Sequence, residues 1–220
     1  MTTDLTTTQP GTAPTASAPR SLGSIVPGVA AVLFAGVQLQ AGVVTVAFRQ
    51  ISAVPADRLN FPYEGSMSVA MSLAWGVAQA GFVLSLIAFA RCGATGRSRL
   101  GRLGSGALIV GGAVFVAAQV VSAFMPDARS DEPAAGVAVM LFAVGSLLTA
   151  LGFAVAGVAV LRARVWSSWR RFTPVSVGAA MLCLVPLQFT SLLAVGVTLY
   201  AATILGFGAA LLAEPPDNPA

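Results

Sequence analysis

Residues 172–213 read FTPVSVGAAMLCLVPLQFTSLLAVGVTLYAATILGFGAALLA, from Phe172 to Ala213, 42 residues without a charge. As one helix this stretch would be about 63 Å long, twice the roughly 30 Å hydrocarbon thickness of a bilayer. It therefore folds back on itself. Pro186, Gln188, Thr190 and Ser191 near its middle place the turn around Gln188 to Ser191, giving one span over 172–189 and another over 191–213.

Four further apolar stretches precede it, over 25–48, 67–90, 103–125 and 134–161. Pro27 stands near the first turn of the first stretch, where a missing amide hydrogen matters least. Pro126 and Asp127 stop the third. The fourth opens after Pro133 and, at 28 residues, exceeds the membrane core, so it tilts or projects into the interface. The expected fold is all-α: a polytopic membrane protein built as a compact bundle of six transmembrane helices over 24–213, between tails at 1–23 and 214–220. The first tail is rich in Thr, Ala and Pro, carries only Asp4 and Arg20 as charges, and is expected to be disordered. It lacks the early basic region and short apolar core of a cleavable signal, so the first span is expected to remain as an anchor.

Composition supports the same reading. Charged residues make up 9% of the chain against about 25% in an average soluble domain, hydrophobic residues 56%, and the mean hydropathy is +0.85. The net charge of +4 comes from arginines beside the spans, where they orient the chain and meet anionic headgroups, so the bilayer is an expected partner and nucleic acid is not. The connector Arg91 to Arg102 holds four arginines and no acid, as does the connector Arg162 to Arg171. The alternate connectors hold Arg49, Arg58 and Arg129 against Asp57, Glu64, Asp127, Asp131 and Glu132. The positive-inside bias then puts both arginine connectors and both termini in the cytoplasm. Trp166 and Trp169, with Arg170 and Arg171, are expected to anchor the inner interface.

Several chemistries are excluded. The chain has no histidine and only two separated cysteines, Cys92 and Cys183, so zinc, haem and iron–sulfur ligand sets are absent and neither a metal nor a cofactor is expected. No ionisable side chain of the proton-relay or voltage-sensing kind lies inside an expected span, which counts against proton-coupled carriers, charge-driven pumps and voltage sensors. No two glycines are four residues apart, so the strict GxxxG pairing motif is missing.

Two groups of polar residues remain as candidate sites. Gln38, Gln79, Gln119 and Gln188, with Gln40, lie from the midplane outward, where they either bond neighbouring helices or line an outward-facing pocket for a small neutral or zwitterionic ligand. Asp57, Arg58 and Glu64 lie in the first outer connector, opposite Asp127, Asp131 and Glu132 in the second. They form either a solvated loop with local Asp/Arg pairing or an acid–base or hard-cation site.

The segments Ser52-Ala-Val-Pro-Ala-Asp-Arg58, Phe61-Pro62-Tyr63, Arg97-Ser-Arg-Leu-Gly-Arg102 and Trp166-Ser-Ser-Trp-Arg-Arg-Phe-Thr-Pro174 together resemble a group of uncharacterised multi-pass membrane proteins of actinobacteria, over most of 25–213. The resemblance implies a bacterial cell (plasma) membrane location and no activity. The expected function is that of a non-enzymatic membrane module packing with lipid or a partner membrane protein. The alternatives are a permease or binding protein for a small neutral or lipophilic solute, and an outer-face enzyme.

Overall fold

A computed structural model describes residues 22–48, 51–55, 57–187 and 192–213. Among them the regular structure is helical: α1 Leu22–Phe48, α2 Gly65–Arg91, α3 Arg99–Ala123, α4 Pro133–Ala163, a 3-10 helix Ser168–Phe172, α5 Thr173–Leu187 and α6 Leu193–Leu212. Five segments are long and apolar enough to cross a membrane: Ile25–Phe48, Gly65–Arg91, Arg99–Ala123, Pro133–Ala163 and Val195–Leu212.

Three boundaries differ from those expected. Helix α1 begins at Leu22, so Pro27 lies inside the helix rather than in its first turn, and its carbonyl accepts a hydrogen bond from Ser85 Oγ of α2. Helix α3 begins at Arg99 instead of 103 because Ser98 caps it, Oγ accepting from Gly101 N at 3.0 Å. Arg99 and Arg102 thereby become helical. Helix α5 runs over 15 residues, about 22 Å by rise, and opens at Thr173, one residue after the expected start, because Phe172 closes the 3-10 helix before it. The turn expected at Gln188 to Ser191, and residues 1–21 and 214–220 of the expected tails, lie outside the described residues.

Each helix packs against its neighbours in the chain, and α6 returns to pack against α1, closing an up-and-down ring. Close backbone approach seals that last seam: a Cβ on Gly28 would fall 2.5 Å from Leu212 Cγ, and one on Gly208 3.1 Å from the Gly28 carbonyl. Helices α3 and α4 run antiparallel and in register. Gly104 faces Ala156, Leu108 faces Gly152, Gly111 faces Thr149 and Phe115 faces Gly145. On both helices these positions step by four, three and four, so a glycine stands opposite a larger residue at every level. Glycines seven apart, two helical turns, thus do the work that four-residue spacing does elsewhere.

The bundle axis is filled by aromatic rings. Phe82 of α2, Phe153 of α4 and Phe207 of α6 come from alternate helices and meet in the middle, with centroid separations of 6.3, 6.5 and 5.3 Å. Phe34 of α1 stacks on Phe82 at 4.5 Å, and Phe89 continues the cluster to Trp166. Leu108 of α3 and Val177 of α5 complete it, both fully buried.

The buried stripe of α2 changes character along its length. Toward the 51–64 connector it consists of Ser68, Ser72, Gly76 and Gln79; toward Arg91 it consists of Phe82, Leu86 and Phe89 with Ser85, whose hydroxyl bonds the Pro27 carbonyl. Along α2 the interior therefore passes from a polar, small half to a mainly aromatic one.

Candidate functional site

The polar half of the interior is roofed by two connectors that pair with each other. Arg58 and Arg129 form an isolated antiparallel bridge, flanked by Leu59 N donating to Ala128 O at 3.0 Å and Ser130 N donating to Asp57 O at 2.8 Å. The Asp57 carboxylate meets Arg129 Nη2 at 2.7 Å, and Arg129 Nε reaches Asp131 Oδ1 at 3.3 Å. Asp57 therefore pairs across the two connectors with Arg129 and not locally with Arg58, as the sequence had suggested.

Beneath this bridge Asn60 turns into the bundle, 6% exposed. Its Oδ1 accepts from Ser122 Oγ at 2.6 Å and from Ser72 Oγ at 3.4 Å, and its Nδ2 donates to the Ser122 carbonyl at 3.3 Å. One side chain thus satisfies polar groups on α2 and α3 together. Each such bond contributes about 1 kcal/mol net, and leaving its partners unmade inside costs more. Asp127 accepts from Gly65 N at 3.0 Å, so the first amide of α2 is capped from the other connector, while Glu64 at the N-cap position makes no side-chain cap bond. Gln40 Nε2 donates to Tyr63 OH at 3.2 Å, and the Tyr63 ring lies edge-on to Trp75 at 6.0 Å.

The predicted site residues differ in burial. Gln79 is 5% exposed within the α2 stripe, Gln119 is half-buried with its Cβ 3.5 Å from where a Gly76 Cβ would stand, and Gln38 is half-buried on α1. Gln188 lies outside the described residues. The groove of about 450 Å³ on the α3–α4 face is lined by Val114, Pro133, Val137, Met140, Leu141 and Val144 with Gly136, and by none of the glutamines. Of the outer-connector candidates, Asp57 is committed to Arg129, Arg58 contributes backbone to the bridge, and Glu64 is exposed at a helix start. Among the described residues no three His, Cys, Asp or Glu side chains gather as a metal site. The arrangement joins helices and connectors.

At the opposite end Trp166 is 2% exposed, its ring edge-on to Phe89 at 5.7 Å. It is a core residue, which corrects its expected place as a surface anchor beside Trp169, which is 50% exposed. Arg170 lies over it, Cζ 4.9 Å from the ring centroid, while Nε donates to Ala210 O at 3.2 Å in the last turn of α6. A cation there complements unpaired carbonyls and the negative end of the helix dipole. Arg171 covers the Phe172 ring at 4.7 Å.

Asn60, Ser72, Ser122 and Arg129 were not marked by the sequence as a unit. The available signal was an asparagine in the run Arg58-Leu-Asn-Phe-Pro62, next to a span whose buried stripe opens with serines. No protein-family model, curated protein or solved structure matches the chain.

Proposed function

We propose that the chain is a six-span module of a bacterial cell membrane, with both arginine connectors and both termini on the cytoplasmic side, which acts by packing with lipid or with a partner membrane protein and carries out no catalysis. The observation that carries this reading is the Phe82, Phe153 and Phe207 triad, which occupies the axis a solute would have to follow. The outer surface supports the membrane setting: Leu33, Val77, Met140 and Leu199 are 61% to 75% exposed on four different helices. Facing water, such side chains would each forgo about 1.5–3 kcal/mol of burial.

A solute-binding role draws its support from the polar half of the interior, where Ser68 Oγ is buried without a hydrogen-bond partner near Ser72 and Gln79. The two readings separate in sealed liposomes. The module reading expects graded neutral solutes to equilibrate no faster than in protein-free vesicles. Saturable uptake that Gln79→Leu abolishes, with folded protein unchanged, would replace it with the permease. Sidedness is checked with impermeant maleimide on single-cysteine variants lacking Cys92 and Cys183: Ser130→Cys labels from outside intact cells, and Ser167→Cys only after permeabilisation.

A further inference from the structure

We propose that the arginine end carries a composite binding patch for anionic phospholipid headgroups, formed where the 92–98 connector meets the end of α4; this rests on the membrane reading above. The two connectors touch. A Cβ on Gly96 would lie 3.2 Å from Ala163 Cβ, and Ala94 and Trp166 are buried in one cluster beneath. Arg97 follows Gly96, Arg162 and Arg164 flank Ala163, and Arg99 and Arg102 occupy the first turn of α3. All five are exposed, and their guanidinium groups make no hydrogen bond or ion pair among the described residues. The described acids, Asp57, Glu64, Asp127, Asp131 and Glu132, all lie in the connectors at the other end.

Two local choices disfavour the chain unless an anion is present. Arg99 and Arg102 stand at the positive end of a 25-residue helix whose first turn holds no acid, where cations are repelled. Arg164 is the C-cap of α4 at φ 54 and ψ 20, the left-handed conformation that glycine adopts freely and an L side chain does not. Gly96, across the contact, takes φ +62 without that penalty. Arginine at 164 gives up backbone comfort and retains a charge in the patch.

The neighbouring surface selects a lipid over a soluble anion. Leu100, Leu103 and Val165 are 40%, 69% and 56% exposed beside the arginines, so headgroup phosphate and upper acyl chain each meet a matching surface. Inorganic phosphate would engage only the charges.

The test uses the full-length protein, delipidated in a neutral detergent, with thermal midpoint and lipid retention measured against phosphatidylglycerol, phosphatidylcholine and inorganic phosphate. Phosphatidylglycerol should raise the midpoint while the other two do not. Retention should fall about fivefold for each arginine removed in an Arg97→Gln, Arg99→Gln, Arg102→Gln series. Arg164→Gly should raise the lipid-free midpoint and yet lower phosphatidylglycerol retention, a combination that a purely structural arginine would not produce. Equal responses to the two lipids, or variants that retain phosphatidylglycerol like the parent, overturn the proposal. A phosphate response matching the lipid response also overturns it, by assigning the patch to a soluble anion. Protein that disperses without detergent would sink the membrane reading itself, whereas detergent-dependent protein with no headgroup preference would sink only the patch.

Discussion

Phe82 of α2 and Phe153 of α4 meet at 6.3 Å across the bundle, although their helices are not adjacent in the ring. The contact exists because Phe207 closes the third side, leaving the six-helix ring with no open lumen at that level. Phe153→Ala should lower stability by about 3–5 kcal/mol, as core Phe truncations do. Phe153→Leu, which keeps most of the volume, should cost clearly less. Denaturation in detergent micelles, followed by helix content, checks the ordering; equal losses for both variants would mean the triad is not tightly packed.

Trp166 and Arg170 should behave as a pair. Removing the ring takes away the packing against Phe89 and the face under the guanidinium, so Trp166→Ala should destabilise by about 3–5 kcal/mol. Arg170→Lys keeps the charge but loses the planar group that stacks on the ring while bonding Ala210 O, and should cost about 1 kcal/mol. Trp169→Ala, on an exposed side chain, should leave the detergent midpoint nearly unchanged. A Trp169 effect equal to that of Trp166 would contradict the inward placement of one tryptophan and the outward placement of the other.

Glycines in the α3–α4 seam should tolerate no methyl group. At Gly104 an alanine Cβ would come 2.5 Å from the Ala156 amide nitrogen, so the helices must separate, at a cost of about 1–3 kcal/mol. Gly106, two residues on and on the other side of the same helix, has nothing within 4 Å, and there alanine should be neutral or stabilising by up to about 1 kcal/mol. Thermal midpoints of the two single variants decide the matter, because the same substitution is expected to take opposite signs.

The connector pairing can be trapped covalently. Arg58 and Arg129 form the kind of antiparallel pair whose Cα atoms stand about 4.5 Å apart, within disulfide range. In a background without Cys92 and Cys183, Arg58→Cys with Arg129→Cys should cross-link under mild oxidation, and Asn60→Ala should slow that reaction by loosening the junction beneath. The surface ion pair contributes little, so Asp57→Asn should cost no more than about 1 kcal/mol. Failure to cross-link would mean that the two connectors do not pair.

The helices were legible from hydropathy and charge because lipid-length apolar runs and their Pro, Gly and Arg punctuation are local signals. What escaped was set by partners distant in sequence. Trp166 and Trp169 sit three residues apart in one basic segment, and only the position of Phe89 sends one inward. The seven-residue glycine repeat acquires meaning only when α3 and α4 are laid in register. Asn60 gained a role only when Ser72 and Ser122 closed on it. Of the glutamines, Gln79 lies in the buried stripe of α2 and Gln38 and Gln119 are half-buried, a difference that depth along the helices does not encode.

The seam between α1 and α6 joins residues some of which are separated by most of the chain, Gly28 meeting Leu212. During synthesis the first helix is made long before its closing neighbour, and a nascent chain halted short of Leu193 presents Gly28 and Ala31 without the α6 residues that pack on them. Biogenesis thus passes through an unsealed five-helix crescent, the form most open to capture by insertases, quality-control proteases or another incomplete copy.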